Sequence, residues 1–137
     1  MARYLIDSHI FLWARETPER LLAGERDALA DSANEVAVSA ATIWELSIKM
    51  ALGRLTPLLN WRDLPQDYFA RSAAALAIPI LPVEAPEAEH VRTLPPIHDD
   101  PFDRLLIAQA LIGGWSIMTR DEVFGRYPGV RVFSGEA

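Results

Sequence analysis

The stretch His98-Asp99-Asp100-Pro101-Phe102-Asp103-Arg104-Leu105-Leu106-Ile107-Ala108-Gln109-Ala110-Leu111-Ile112-Gly113-Gly114 decides how the chain is read. Asp100 followed by Pro101 marks a helix start: a carboxylate N-cap, then proline at the first helical position, where its missing N–H is no loss. Gly113-Gly114 supplies a left-handed stop. Between them Leu105, Leu106, Ile107, Ala108, Ala110, Leu111 and Ile112 go round every side, so the predicted helix is buried on most faces. Its first turn carries Asp103 and Arg104, and charge on a buried helix needs partners.

Working outward, residues 115–119 read as a strand, with Asp121 just beyond it. A helical turn over 122–127 and a last strand over 130–133 follow. On the other side, Pro95-Pro96 breaks the chain, after a short helix marked by Pro86, Ala88, Val91 and Leu94. Residues 78–83 are extended, and their prolines demote them to an edge strand or a strand flanked by turns. A helix over 68–76 precedes them, behind a polar, proline-bearing connector over 56–65. Nearer the N-terminus, residues 3–6 form a strand ending at Asp7, and Phe11 to Ala14 a short helix or turn. Thr17-Pro18 reads as the N-cap of a second helix ending near Asn34. Val36-Ala37-Val38 is a short strand, and a long helix runs from Ala40 or Ala41 to Leu55. Strands alternating with helices imply an α/β fold, a three-layer α/β/α sandwich around a mainly parallel sheet. No repeat or linker divides residues 1–137 into more than one domain.

The composition sets limits. Half of the 137 residues are hydrophobic, as in an ordinary globular protein. With no cysteine, disulfides and thiolate metal sites are excluded. No signal pattern and no membrane-spanning apolar run is visible, so a cytoplasmic protein away from the membrane is expected. The net charge of −6 argues against a broad basic surface for polyanions. A local basic groove is still open, because Lys49 is the only lysine and all the other cations are arginines.

Ligands of open α/β sheets sit beyond the carboxyl ends of the strands. Asp7 follows the first strand and Asp121 the strand over 115–118. Glu45 lies in the first turns of the helix after Val38. Asp103 opens the helix before the 115–118 strand, and the pattern alone does not say which edge it reaches. Four carboxylates on one rim raise one another's pKa, and a divalent cation is the usual remedy. An oxygen-only donor set suits Mg²⁺ or Mn²⁺, and such a site suits phosphoryl chemistry.

At these residues the sequence resembles a PIN-domain ribonuclease of the VapC toxin type. The likeness is carried by Tyr4-Leu5-Ile6-Asp7-Ser8-His9, by Val38-Ser39-Ala40-Ala41-Thr42-Ile43-Trp44-Glu45-Leu46-Ser47-Ile48-Lys49 and by Leu52-Gly53-Arg54-Leu55. It continues in His98 with Asp100-Pro101-Phe102-Asp103-Arg104-Leu105-Leu106-Ile107-Ala108-Gln109-Ala110 and ends in Thr119-Arg120-Asp121. Residues 56–94 match only loosely, and Asp99 stands where a basic residue is often found. The resemblance implies an endoribonuclease whose Asp7, Glu45, Asp103 and Asp121 hold Mg²⁺ or Mn²⁺. Ser8 and Thr119 would orient a carboxylate or water, and Lys49 and Arg104 would be charge partners or phosphate contacts. It further implies an RNA substrate, a homodimer and a VapB-type antitoxin.

Each residue also has a plainer reading. Asp7 caps the segment after its strand. Glu45 and Lys49, four apart, form a surface ion pair worth about 0.3 kcal/mol. Asp103 complements the helix dipole. Asp121 starts a turn, and Thr119 is a strand residue. Asp100 is read as an N-cap and His98 as a loop hydrogen-bonder, and neither is placed in the metal set. Two other functions compete. A receiver-like Mg²⁺-binding signalling domain needs a lysine after a late strand, and the sole lysine sits mid-chain on a helix. A non-catalytic PIN-like binding module has no need of all four acids.

Overall fold

In the structure, a computed structural model that describes residues 1–55 and 61–133, four strands form one sheet. They are β1 (Arg3–Ile6), β2 (Glu35–Ser39), β3 (Ile80–Leu81) and β4 (Ser116–Met118), in the order β3-β2-β1-β4. All three pairings are parallel. The helices are α1 (Ser8–Glu16), α2 (Ala23–Ala30), α3 (Ala40–Ala51), α4 (Tyr68–Ala75), α5 (Ala85–His90) and α6 (Pro101–Gly113).

Register explains why both faces are covered. Leu5 stands opposite Ala37 and Ile117, and Ile6 stands opposite Val38 and Met118. Side chains alternate along a strand, so these two rows point to opposite faces. The Leu5 row packs with Leu106, Ile107, Ala110, Phe124 and Tyr127. The Ile6 row packs with Ile10, Phe11, Leu46, Met50 and Phe69. Helix α6 therefore covers one face, and α1, α3 and α4 cover the other.

The deciding stretch folds as its residues dictate. The Asp100 carboxylate accepts from the Phe102 and Asp103 amides, Pro101 is the first helical residue, and Gly114 ends α6 with φ +70°. Three other expectations change. The helix from Thr17 to Asn34 is instead a single 3₁₀ turn (Pro18–Arg20), an extended step at Leu21-Leu22, and then α2. Leu21 turns into the core there, and Glu25, not Thr17, supplies the cap by accepting from the Leu22 amide. Helix α3 stops at Ala51 because Gly53 takes φ +68°. The strand over 130–133 shrinks to one parallel bridge between Ile117 and Val132. The connector over 56–65 lies partly outside the described residues, with a 3₁₀ turn at Trp61–Asp63. Among the described residues, no helix is long and apolar enough to cross a membrane.

Candidate functional site

Because every strand is parallel, the carboxyl ends of β1, β2 and β4 share one edge. Asp7 leaves β1 there, its amide bonded to the Met118 carbonyl of β4 at 3.1 Å. It is 6% exposed, and both of its oxygens are engaged. Oδ1 caps α1 by accepting from the Ile10 amide (2.9 Å), and Oδ2 accepts from the Thr119 hydroxyl (2.5 Å). Burial pushes the Asp7 carboxyl above the usual range, opposed by these two donors and the nearby His9, and reinforced by the charge of Glu45. Ser8 opens α1 beside it, half-buried. Thr119 also accepts from the Asp121 amide (3.0 Å), so one hydroxyl joins Asp7 to the backbone of Asp121.

Glu45 enters from α3, which starts directly after β2, and is likewise 6% exposed. Its Oε2 lies 3.0 Å from Lys49 Nζ. The placement of Asp103, which the sequence left open, is settled by ring contact. Trp44 and Phe102, each one residue before a candidate acid, meet edge-on with centroids 5.0 Å apart. That contact seats the first turn of α6 against α3 and brings Asp103 within electrostatic reach of Glu45. Burial is the largest cause that pushes Asp103 up to about 6, with the charges of Asp100 and Glu45 adding to it. A hydrogen bond from His98 Nε2 to Asp103 Oδ2 (2.8 Å) pulls the other way.

Glu45 thus acts on both Asp7 and Asp103, from three elements scattered over about a hundred positions of sequence. Asp121 is the outlier. It is exposed, and its carboxylate caps the 3₁₀ turn Glu122–Arg126 by accepting from the Val123 amide. Among the described residues, the group with ligand atoms all within 4.8 Å of one another is His98, Asp100 and Asp103, not the four acids together. Two of its members, His98 and Asp100, stood outside the set read from sequence. The imidazole does bond within a loop, as expected, but its partner is a candidate ligand. Its position five residues before Asp103, ahead of the cap, was the available signal.

Arg104, which the resemblance implies as a charge partner or phosphate contact, is engaged with the backbone. Its guanidinium donates to the carbonyls of Val91, Leu94, Pro95 and His98 and to the Tyr127 hydroxyl, at 2.9–3.3 Å. Proline-rich chain without regular structure has carbonyls in need of donors, and a planar five-donor fork meets several at once. Arg104 therefore fixes the segment that carries His98.

The donor set fits a hard divalent cation. Asp7 and Glu45 are both nearly buried, the Glu45 charge raises the proton affinity of Asp7, and a cation is what would offset that repulsion. The donors of Asp7, Glu45 and Asp103 are carboxylate oxygens, as Mg²⁺ or Mn²⁺ prefer, and the His98 imidazole bonds Asp103 beside them.

Comparison with known proteins places the chain in context. Residues 4–130 match the PIN domain family. The ribonuclease VapC22 of Mycobacterium tuberculosis is 30% identical over 124 residues, with 88% of each chain covered. Among solved structures, VapBC2 from Rickettsia felis, bound to a promoter DNA fragment, superposes with a TM-score of 0.70. It is 14% identical and covers 96% of this chain and 97% of its own. FitAcB from Neisseria gonorrhoeae gives 0.64 at 21% identity, with the same coverage.

Proposed function

Because the chain belongs to the PIN-domain family, in the branch of its VapC relative, we propose that it is the endoribonuclease toxin of a type II toxin–antitoxin pair. It hydrolyses RNA phosphodiester bonds with the help of Mg²⁺ or Mn²⁺. The observation that carries this reading is that the charge of Glu45 reaches both Asp7 and Asp103 at the carboxyl edge of the sheet. These three would hold the cation, with Asp121 on the exposed side. A divalent cation bound there supplies the positive charge that lowers the pKa of water and stabilises charge building on a phosphate.

The chain's own residues set the stage for that chemistry. Thr119 holds the Asp7 carboxylate in one orientation by donating to Oδ2. Lys49 holds Glu45, and its partly exposed ammonium has N–H bonds left for a phosphate oxygen. His98 holds Asp103, and Arg104 holds the loop of His98. In an acidic protein these local cations, with the metal, supply the field that admits RNA.

The remaining parts of the reading follow the family. The single PIN domain spans residues 1–137 and works in the cytoplasm. Its partner is a VapB-type antitoxin, in keeping with the VapBC assemblies among its structural relatives. It forms a homodimer, supported by an apolar stripe on α3 in which Trp44 and Leu52 are 61% and 59% exposed.

The test is RNA digestion with Mn²⁺, with excess chelator, and with Asp7→Asn. Asparagine retains an oxygen for the Ile10 amide, so the cap of α1 and the fold survive. Cleavage is expected to stop with chelator and in Asp7→Asn. Parental cleavage by a folded Asp7→Asn protein would refute this site.

A further inference from the structure

Arg120 lies between Thr119 and Asp121, yet its side chain serves another part of the molecule. Its Nη2 donates to Glu25 Oε1 at 2.6 Å and its Nε to Glu25 Oε2 at 3.2 Å, a two-point fork across 95 positions of sequence. Nη2 also donates to the Arg20 carbonyl (2.6 Å), and the guanidinium lies 4.5 Å from the Trp13 ring centroid. The anchor is firm. Glu25 is 2% exposed, and its Oε1 is already fixed by the Leu22 amide (2.7 Å) at the start of α2. Arg120 is its only salt-bridge partner among the described residues, and removing one partner of a buried ion pair is costly. The pair is thus strongly held, and none of the steps assigned above uses it.

We propose that Glu25 and Arg120 are a positioning pair that latches the α1–α2 layer to the Thr119–Asp121 turn and thereby fixes the metal-facing side of Asp7. Three short links make the case. The guanidinium fixes the backbone of residue 120. Thr119 on one side donates to Asp7, and the Asp121 amide on the other side donates back to Thr119. Asp7 itself caps α1, and Trp13 on that helix packs against the same guanidinium. The acid, the hydroxyl and the arginine therefore close a ring through α1 and β4. Cutting the latch frees the turn after a strand of only three residues, β4. Asp7 then loses the constraint on Oδ2 but retains its cap on Oδ1. The inference rests on the proposed metal site.

Its test is Mn²⁺ affinity, read from the electron paramagnetic resonance signal of free Mn²⁺, beside kcat and KM for RNA. The variants are Arg120→Ala, Arg120→Lys, Glu25→Gln and Asp7→Asn, with Arg71→Ala, from an exposed pair on α4, as control. Arg120→Ala is expected to weaken Mn²⁺ binding about tenfold, the lower end for groups that orient a ligand. Its kcat falls at limiting Mn²⁺ and returns in part at high Mn²⁺, while KM for RNA holds. Arg120→Lys keeps charge but loses the fork, and falls between. Glu25→Gln keeps one acceptor oxygen but sets an NH₂ donor against the guanidinium in place of the other, and shows a loss of the same kind, and Arg71→Ala matches the parent. If Arg120→Ala does not fold, the lysine variant decides. Mn²⁺ affinity within twofold of the parent in folded Arg120→Ala or Arg120→Lys, while Asp7→Asn loses it, overturns the latch alone. Retention of Mn²⁺ binding and cleavage by Asp7→Asn overturns the metal site and the latch with it.

Discussion

Asp103 binds its proton more tightly in the folded protein than in the unfolded chain. Burial raises its carboxyl from 3.8 to about 6, so between those values the folded state holds more proton than the unfolded one. Stability from this group is therefore present below about pH 4 and lost as pH rises through about 6. Asp7 is shifted in the same direction and adds to the trend. Asp103→Asn removes the penalty. In excess chelator it is expected to melt above the parent at pH 7, by roughly 1–2 kcal/mol of stability, and to match it near pH 4. With Mn²⁺ at pH 7 the order reverses, because only the parent gains from the ion. Thermal melts at the two pH values, with and without Mn²⁺, check the sign. A second residue-scale expectation concerns His98. Its bond orients Asp103, a proposed ligand, so His98→Ala should weaken Mn²⁺ binding about 10–100-fold while leaving the far-UV circular dichroism unchanged.

At the scale of elements, α6 shows what a sequence can specify. Its cap, proline, apolar body and glycine stop are all local signals, and each acts in the fold as read. Strands β1, β2 and β4 were legible for the same reason. What escaped was partner choice at a distance. Nothing near Thr17 reveals that Glu25 will cap α2 and also receive Arg120 from 95 residues away. Nothing in 130–133 reveals that only Val132 will bridge to Ile117. Asp7, Glu45 and Asp103 could be named because each sits at a strand end or helix start. The role of His98 needed coordinates, and so did the use of Arg104 on carbonyls. The C-terminal end of α6 gives a quantitative test. A Cβ on Gly113 would lie 2.6 Å from Trp115 Nε1, and that ring is buried beneath the Arg3 guanidinium, which also donates to the Gly113 carbonyl. Gly113→Ala should therefore lose about 2 kcal/mol by overpacking. Gly114→Ala should lose about 1 kcal/mol from its φ of +70°. Urea unfolding measures both. The Mn²⁺ affinity of each folded variant should stay at the parental value, because Asp103 lies ten residues away, about 15 Å along the helix.

For the whole molecule, the outstanding question is what covers α3. Trp44, Ile48 and Leu52 recur every four residues on it, all exposed, while Glu45 and Leu46 beside them are buried. Helix spacing puts the three on one stripe, so the helix is apolar on two faces. One face packs on the sheet through Leu46 and Met50, and the other has a ring contact with Phe102 at its Trp44 end. A stripe that matches itself is suited to a two-fold pairing of identical surfaces. The parent should run at twice the 15.3 kDa mass of one chain in light scattering after gel filtration. Leu52→Glu is the discriminating change. Leu52 follows the last residue of α3 and is 59% exposed, so a charge there leaves the core intact. In a dimer, however, it would be buried opposite its own copy, where like charges repel. The expected result is a folded monomer that still binds Mn²⁺, because Leu52 lies nearly two helical turns beyond Glu45. A Leu52→Glu protein that stays dimeric would place the contact elsewhere on the surface. A parent that is monomeric at high concentration would leave the stripe for a different partner chain.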